Sequence, residues 1–168
     1  MKIRFTAIDE YNMLVSLKHK TWGSKTNRFR IWEEGDLIVL RVKQQVACVL
    51  KITGPSYKSE VPLWSNGVFQ WRIPVELHTY FAPDQREGIS YFAEESLLDS
   101  FGSKYGLALQ NYKPLPFIHA MRFYSKLNQI DNQNKLVETP KSVDRLLASL
   151  ALQMQSPALN SNQKTDAS

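Results

Sequence analysis

The sequence predicts an α+β fold, a small β-barrel flanked by helices, and three observations carry that expectation. From Lys2 to Ala7 the chain alternates Ile3, Phe5 and Ala7 with Lys2, Arg4 and Thr6, the period of two that marks a strand. Two runs rich in Val, Ile and Leu, Asp36 to Val42 and Gln45 to Thr53, then flank the polar step Lys43–Gln44. Helical periodicity appears between these strand signals and again late in the chain. Strand, helix, several strands and late helices suit a barrel with flanking helices better than a doubly wound sheet.

Taken in order, the first strand leads to Asp9, which can cap a helix whose apolar positions Tyr11, Leu14, Val15 and Leu17 recur at helical spacing. Lys18, His19 and Lys20 sit where the helix dipole favours cations, and the helix ends between Lys20 and Gly23. A basic loop is expected from Gly23 to Arg30. Gly35–Asp36 opens and Gly54–Pro55 closes the central hairpin. A loop holding Trp64 precedes a strand from Val68 to Leu77, in which Phe69, Trp71, Ile73 and Val75 alternate with polar residues and Pro74 implies a bend or an edge. Ser90 to Phe101 reads as a helix closed by Gly102, and Pro116 starts another that runs to Leu127. These elements set one domain over residues 1–127. A polar linker follows at 128–138, and Thr139–Pro140 then opens an amphipathic helix at 139–155 with Val143, Leu146, Leu147, Leu150 and Met154 on one side. That stripe either packs back on the domain or serves self-association or a protein partner. Residues 156–168 lack periodicity and read as a disordered tail.

Composition narrows the function. The 168 residues hold 43% apolar positions, enough for a real core, and no apolar run long enough for a membrane span. No secretory leader is legible behind Met1, and the single Cys48 lies in the apolar run Val46 to Leu50, which suits a core thiol in a cytoplasmic protein. His19, His78 and His119 share no metal-ligand spacing with Cys48 or with a carboxylate. Glu94–Glu95 reads as solvated charge. There is no glycine-rich phosphate loop, nucleophile elbow or HExxH motif, so neither a catalytic constellation nor a cofactor is implied. The net charge is +5, and its placement matters more than its size. Between Glu10 and Glu33 there is no acid, while Lys18, Lys20, Lys25, Arg28 and Arg30 are all present, a block that attracts phosphate or is simply a solvated face.

The four tryptophans divide by context. Trp32 and Trp71 suit the barrel interior. Trp22 in Thr21–Trp22–Gly23–Ser24 and Trp64 in Leu63–Trp64–Ser65–Asn66–Gly67 have small polar neighbours, and an indole there packs poorly unless it lines a pocket.

The ordered set Thr21–Trp22–Gly23–Ser24, Gly35–Asp36–Leu37–Ile38–Val39, Val46–Ala47, Ile52–Thr53–Gly54 and Phe69–Gln70–Trp71–Arg72–Ile73 resembles the EVE family. It is also similar to the related YTH domains, both within the PUA-like superfamily, over residues 1–127. Ala47–Cys48 stands where many EVE sequences carry a glycine-containing step, and the last helix lies outside the pattern. The resemblance implies a PUA-like or EVE-like barrel that reads DNA or RNA by taking up one flipped base carrying a modification: methylated or hydroxymethylated cytosine, or 6-methyladenine. Trp22 and Trp64 would be the walls of the aromatic cage, and Ser24 and Asn27 would reach the base edge. Lys18, Lys20, Lys25, Arg28 and Arg30 would hold the flanking phosphates. If DNA is the ligand, the protein is expected at the nucleoid. Arg72 matches the family's strand arginine, with its role open between the barrel and phosphate. Two other readings stand beside this one. The ASCH-type relatives hydrolyse modified nucleosides, and Lys20, Thr21 and Lys25 lie near the expected mouth. Alternatively, all the aromatics are core and the chain is a protein-interaction module.

Overall fold

The structure is a computed structural model, which describes residues 1–131 and 142–153. Strand β1 (Ile3–Ala7) runs into α1 (Glu10–His19) and then β2 (Thr21–Ser24). A 3₁₀ turn at Arg28–Ile31 leads to β3 (Leu37–Val42) and β4 (Gln45–Ile52). After a short β5 (Tyr57–Lys58) comes the long β6 (Trp71–Tyr80), and α2 (Glu87–Phe101), α3 (Gly106–Gln110) and α4 (Phe117–Asp131) follow. A last helix, α5, covers 142–153.

The strands form one sheet in the order β1-β3-β4-β6-β2, with β5 also on β6. β1 and β3 are parallel, and the other pairs are antiparallel. Among the described residues β1 and β2 do not pair with each other, so the expected barrel takes the form of a curled, open half-barrel flanked by helices. The alternation on β3 shows how the sheet is covered. Leu37 and Val39 enter one core, with Phe5, Phe81, Ala93 and Phe123, beneath α2 and α4. Ile38 and Leu40 enter the other, with Leu14, Trp22, Trp32 and Val143, beneath α1 and α5.

Local chemistry explains most boundaries. The Asp9 carboxylate accepts the Asn12 N–H at 2.9 Å and caps α1. Lys20 closes the same helix in the left-handed conformation, φ 51°, and its N–H reaches the Ser16 carbonyl. Gly102 ends α2 with φ 78°. The β3–β4 hairpin turns on Lys43 and Gln44, both left-handed at φ 50° and 68°, as a two-residue turn of the I′ kind requires. Pro74 lies where β6 changes partner: Val75 is the last rung with β4 and Arg72 pairs with β5, so its missing N–H breaks no rung on that side.

Several boundaries depart from expectation. Gly23 to Arg30 is not wholly loop, because Thr21–Ser24 forms β2 on β6, a strand too short and glycine-broken to show periodicity. β6 begins at Trp71, not Val68, and runs on to Tyr80; α2 begins at Glu87. Helix α4 runs through Asp131, so the first residues of the expected linker are helical, and 132–138 lie outside the described residues. Of the amphipathic helix expected at 139–155, residues 142–153 are helical. Val143 is buried in the first core and Leu146, Leu147 and Leu150 pack against it, so the stripe faces its own domain. Met154 and the tail 156–168 lie outside the described residues. No helix among the described residues is long and apolar enough to cross a membrane.

Candidate functional site

Trp22 is placed by the β2–β6 ladder, opposite Ile73, with only 6% of its surface exposed. Its Nε1–H donates to the Tyr112 hydroxyl at 3.3 Å, which fixes the indole's rotation. Tyr112 follows α3 in a left-handed conformation, φ 50°, and the Arg28 guanidinium lies 4.6 Å over its ring.

Trp64 is held more firmly. Its loop folds back on itself through a Trp64–Gly67 bridge. The Trp64 Nε1–H donates to the buried Ser16 hydroxyl at 2.8 Å, and Ser16 in turn donates to the Asn12 carbonyl. Asn12 also accepts the Ser65 N–H on Oδ1 at 2.9 Å. The Arg72 guanidinium lies 5.2 Å from the centre of the Trp64 ring. From there it donates to the Phe69 carbonyl, the Ser59 hydroxyl and the Val61 carbonyl. Arg72 is therefore a buried clamp on the 59–69 loop, which decides its open role in favour of structure. Phe69 meets Trp64 edge-on at 5.5 Å. The six-membered ring of Trp64 rests on Gly23, where a Cβ would lie 2.6 Å from Cη2 and 2.7 Å from the Phe69 Cβ. Only glycine allows that approach.

Trp22 and Trp64 line the same cavity, of about 600 Å³, within the range of small-molecule sites. Phe69 and Tyr112 complete its aromatic lining, with Asn66 at the loop tip. The lining also takes in Ile8 and Asp9, just after β1, and Arg41, Lys43 and Gln44 from the hairpin. Both Asp9 oxygens accept bonds from Asn12, one from its N–H and one from its amide, so this carboxylate is committed to the helix cap. The Arg41 guanidinium lies 3.6 Å from Glu94.

The other expected site residues are scattered. The Ser24 side chain is buried outside the cavity lining and accepts the Thr26 N–H. Asn27 is exposed at the start of the 3₁₀ turn and does not line the cavity either. Of the five cations, Lys25 approaches the wall through Phe69 (5.7 Å to its ring) and Arg28 through Tyr112. Lys18 instead pairs with Asp144 of α5 at 2.8 Å, while Lys20 and Arg30 are exposed and absent from the lining. Thr21 is buried and bonded to the Tyr57 hydroxyl, so Lys20, Thr21 and Lys25 do not assemble in the cavity as the hydrolase reading needs. Trp32 and Trp71 fall in or against the first core, as expected. Asp9, Arg41, Lys43, Gln44, Asn66, Phe69 and Tyr112 escaped the sequence reading as lining residues. Only the adjacency of Asn66 and Phe69 to Trp64 gave any signal.

No family model matches the chain, and no curated protein matches it in sequence. In structure it is similar to YTH domains. The YTH domain-containing protein Mmi1, solved with RNA, superposes with a TM-score of 0.53 at 10% identity over 77% of this chain and 85% of that one. The YTH domain of Zygosaccharomyces rouxii MRB1, solved with N6-methyladenosine RNA, gives 0.52 at 8% identity over 82% and 91%. A hypothetical protein from Leishmania major gives 0.50 at 14% identity over 79% and 98%. The chain thus has a YTH-like fold.

Proposed function

We propose that this protein is a non-catalytic reader of nucleic acid that draws one flipped, modified base into the cavity between Trp22 and Trp64. One observation carries the reading: two indoles from separate elements, each with its N–H bonded and its position fixed, line one open cavity. Unstacking a base costs a few kcal/mol. Stacking on aromatic rings returns about 1–3 kcal/mol per base, and walls already fixed in place keep more of that gain. A buried methyl group adds only about 0.8 kcal/mol, so selectivity also needs polar contacts. Asn66 and Gln44, both at the cavity lining, replace Ser24 and Asn27 as the candidates for the base edge. Lys25 and Arg28 are the cations best placed for the flanking phosphates. The YTH-like fold, known with RNA bound in Mmi1 and MRB1, puts RNA carrying 6-methyladenine first in the order of trial. The EVE-like motifs keep DNA with 5-methylcytosine or 5-hydroxymethylcytosine next.

The test is a fluorescence titration with five-nucleotide RNAs and DNAs, unmodified or carrying each of these bases centrally. Wild type is compared with Trp22→Ala and with Asn66→Trp, the latter filling the cavity from an exposed position and leaving the core alone. Tighter binding to one modified strand, lost in both variants while circular dichroism is unchanged, is the expected result. Equal, salt-sensitive binding to every strand, or none, overturns the reading.

A further inference from the structure

A second cavity, of about 640 Å³, adjoins the first and shares Ile8, Asp9 and Lys43 with it. Its floor is Leu14 of α1, Val42 of β3 and Tyr80 of β6, and its outer wall is the α5 surface at Leu146, Ser149 and Leu150. Charge on its inner wall is paired. Arg86 holds Glu10 through two bonds of 2.7 Å, so the inner wall offers satisfied polar edges and no free ion. Burial, reinforced by Glu10, raises the pKa of the Tyr80 hydroxyl, which stays a neutral phenol. An apolar, aromatic-floored inner wall with its Arg86–Glu10 charges paired suits a flat, uncharged heterocycle.

The ridge between the two cavities has the opposite character. Lys43 lies on it, exposed, with no hydrogen bond or ion pair among the described residues. It and Gln44 hold the left-handed backbone that the two-residue β3–β4 turn requires, which sets Lys43 in the turn. Asp9, the other charged residue common to both cavities, is engaged at both oxygens by Asn12, so Lys43 on the ridge between two adjoining cavities is the cation that two consecutive nucleotides would meet, base, phosphate, base.

We infer that the site reads two adjacent nucleotides: the flipped base between Trp22 and Trp64, its neighbour in the cavity beneath α5, and the phosphate joining them on Lys43. This rests on the base-reading function proposed above and adds a second subsite to it. Helix α5 becomes part of the binding surface, so the identity of the neighbouring base matters to affinity.

The experiment takes the tightest-binding strand from the five-nucleotide panel and makes it with an abasic residue on the 5′ or the 3′ side of the modified base. One abasic position is expected to weaken binding roughly five- to a hundredfold and the other to change it little. Ser149→Phe, an exposed change on α5 that fills the second cavity, is expected to weaken the intact strand likewise and leave the already weakened abasic strand unaffected. Lys43→Ala is expected to lower the slope of log affinity against log salt by about 0.7. Unchanged affinity with both abasic strands overturns the two-nucleotide site even if Ser149→Phe misfolds, while loss of binding in Asn66→Trp still upholds the base pocket. If no strand in the panel binds preferentially, the base pocket falls first and the second subsite with it.

Discussion

The indole N–H of Trp64 donates to the hydroxyl of Ser16, 2.8 Å away, and joins the 59–69 loop to the inner face of α1. Both residues are buried, so neither group has water to fall back on. Ser16→Ala leaves the N–H unpaired and is expected to cost about 1–3 kcal/mol. The ring then loses its fixed orientation. Thermal unfolding should report the lower stability, and the red edge of tryptophan emission should shift as Trp64 gains access to water.

Gly23 offers a sharper test of the wall itself. Gly23→Ala puts a methyl group where the Trp64 ring and the Phe69 Cβ now lie. Because Phe69 contributes a stem atom that cannot swing away, the loop has to lift, at about 1–3 kcal/mol. The expected outcome is a folded protein whose cavity is misshapen: affinity for the modified strand falls at least about tenfold, while unspecific, salt-dependent binding is retained. Wild-type affinity in this variant would show that Trp64 is not a wall of the site.

Arg72→Lys separates a structural arginine from a phosphate-binding one. Lysine keeps the charge but cannot serve the Phe69 carbonyl, the Ser59 hydroxyl and the Val61 carbonyl together from a planar fork. The loop is expected to become protease-sensitive between Ser59 and Phe69. The salt slope of nucleic-acid binding should stay as in wild type, because Arg72 neutralises no phosphate; a drop of about 0.7 with the loop intact would contradict the clamp.

The Arg4–Asp36 pair ties β1 to the start of β3, with both side chains almost wholly buried. Burial alone would raise the Asp36 pKa. The N–H groups of Lys2 and Glu33 and the Arg4 guanidinium more than reverse this and hold it below its ordinary 3.8. A carboxyl depressed in the folded state stabilises fully above its unfolded pKa, and that contribution is lost as pH falls through the depressed value. Asp36→Asn strands the Arg4 charge and is expected to cost about 3–5 kcal/mol at pH 7. The gap between variant and wild type should close as the pH drops below about 4, which denaturant titrations across pH measure directly.

How much of this was legible beforehand depends on the reach of each signal. β1, α1 and the β3–β4 hairpin announce themselves because Ile3 and Phe5, Leu14 and Leu17, and the Lys43–Gln44 step act within a few residues. The edge strand β2 does not, since a four-residue strand owes its existence to the register with β6. Trp22 and Trp64 stood out by their small neighbours, and the cavity does contain both. The polar lining was invisible for a physical reason. Lys43, Gln44 and Tyr112 reach the cavity through a turn and a left-handed step far along the chain, whereas Ser24 and Asn27 are near Trp22 only in sequence. Ser24 ends β2 with its hydroxyl taken up by the Thr26 N–H, and Asn27 lies beyond it at the start of the 3₁₀ turn.

The clamp at Arg72 has a consequence for how such a site can diversify. The 59–69 loop is fastened at few points, the Arg72 fork, the Asn12–Ser65 contact and the Trp64–Ser16 bond, and all three anchors on the body belong to α1 or β6. Residues between those fastenings, Pro62 and Asn66 among them, are exposed and carry no part of either core. The loop is therefore mounted on the domain as an exchangeable cartridge, and a different tip could be fitted to a different base without the half-barrel beneath it having to be rebuilt.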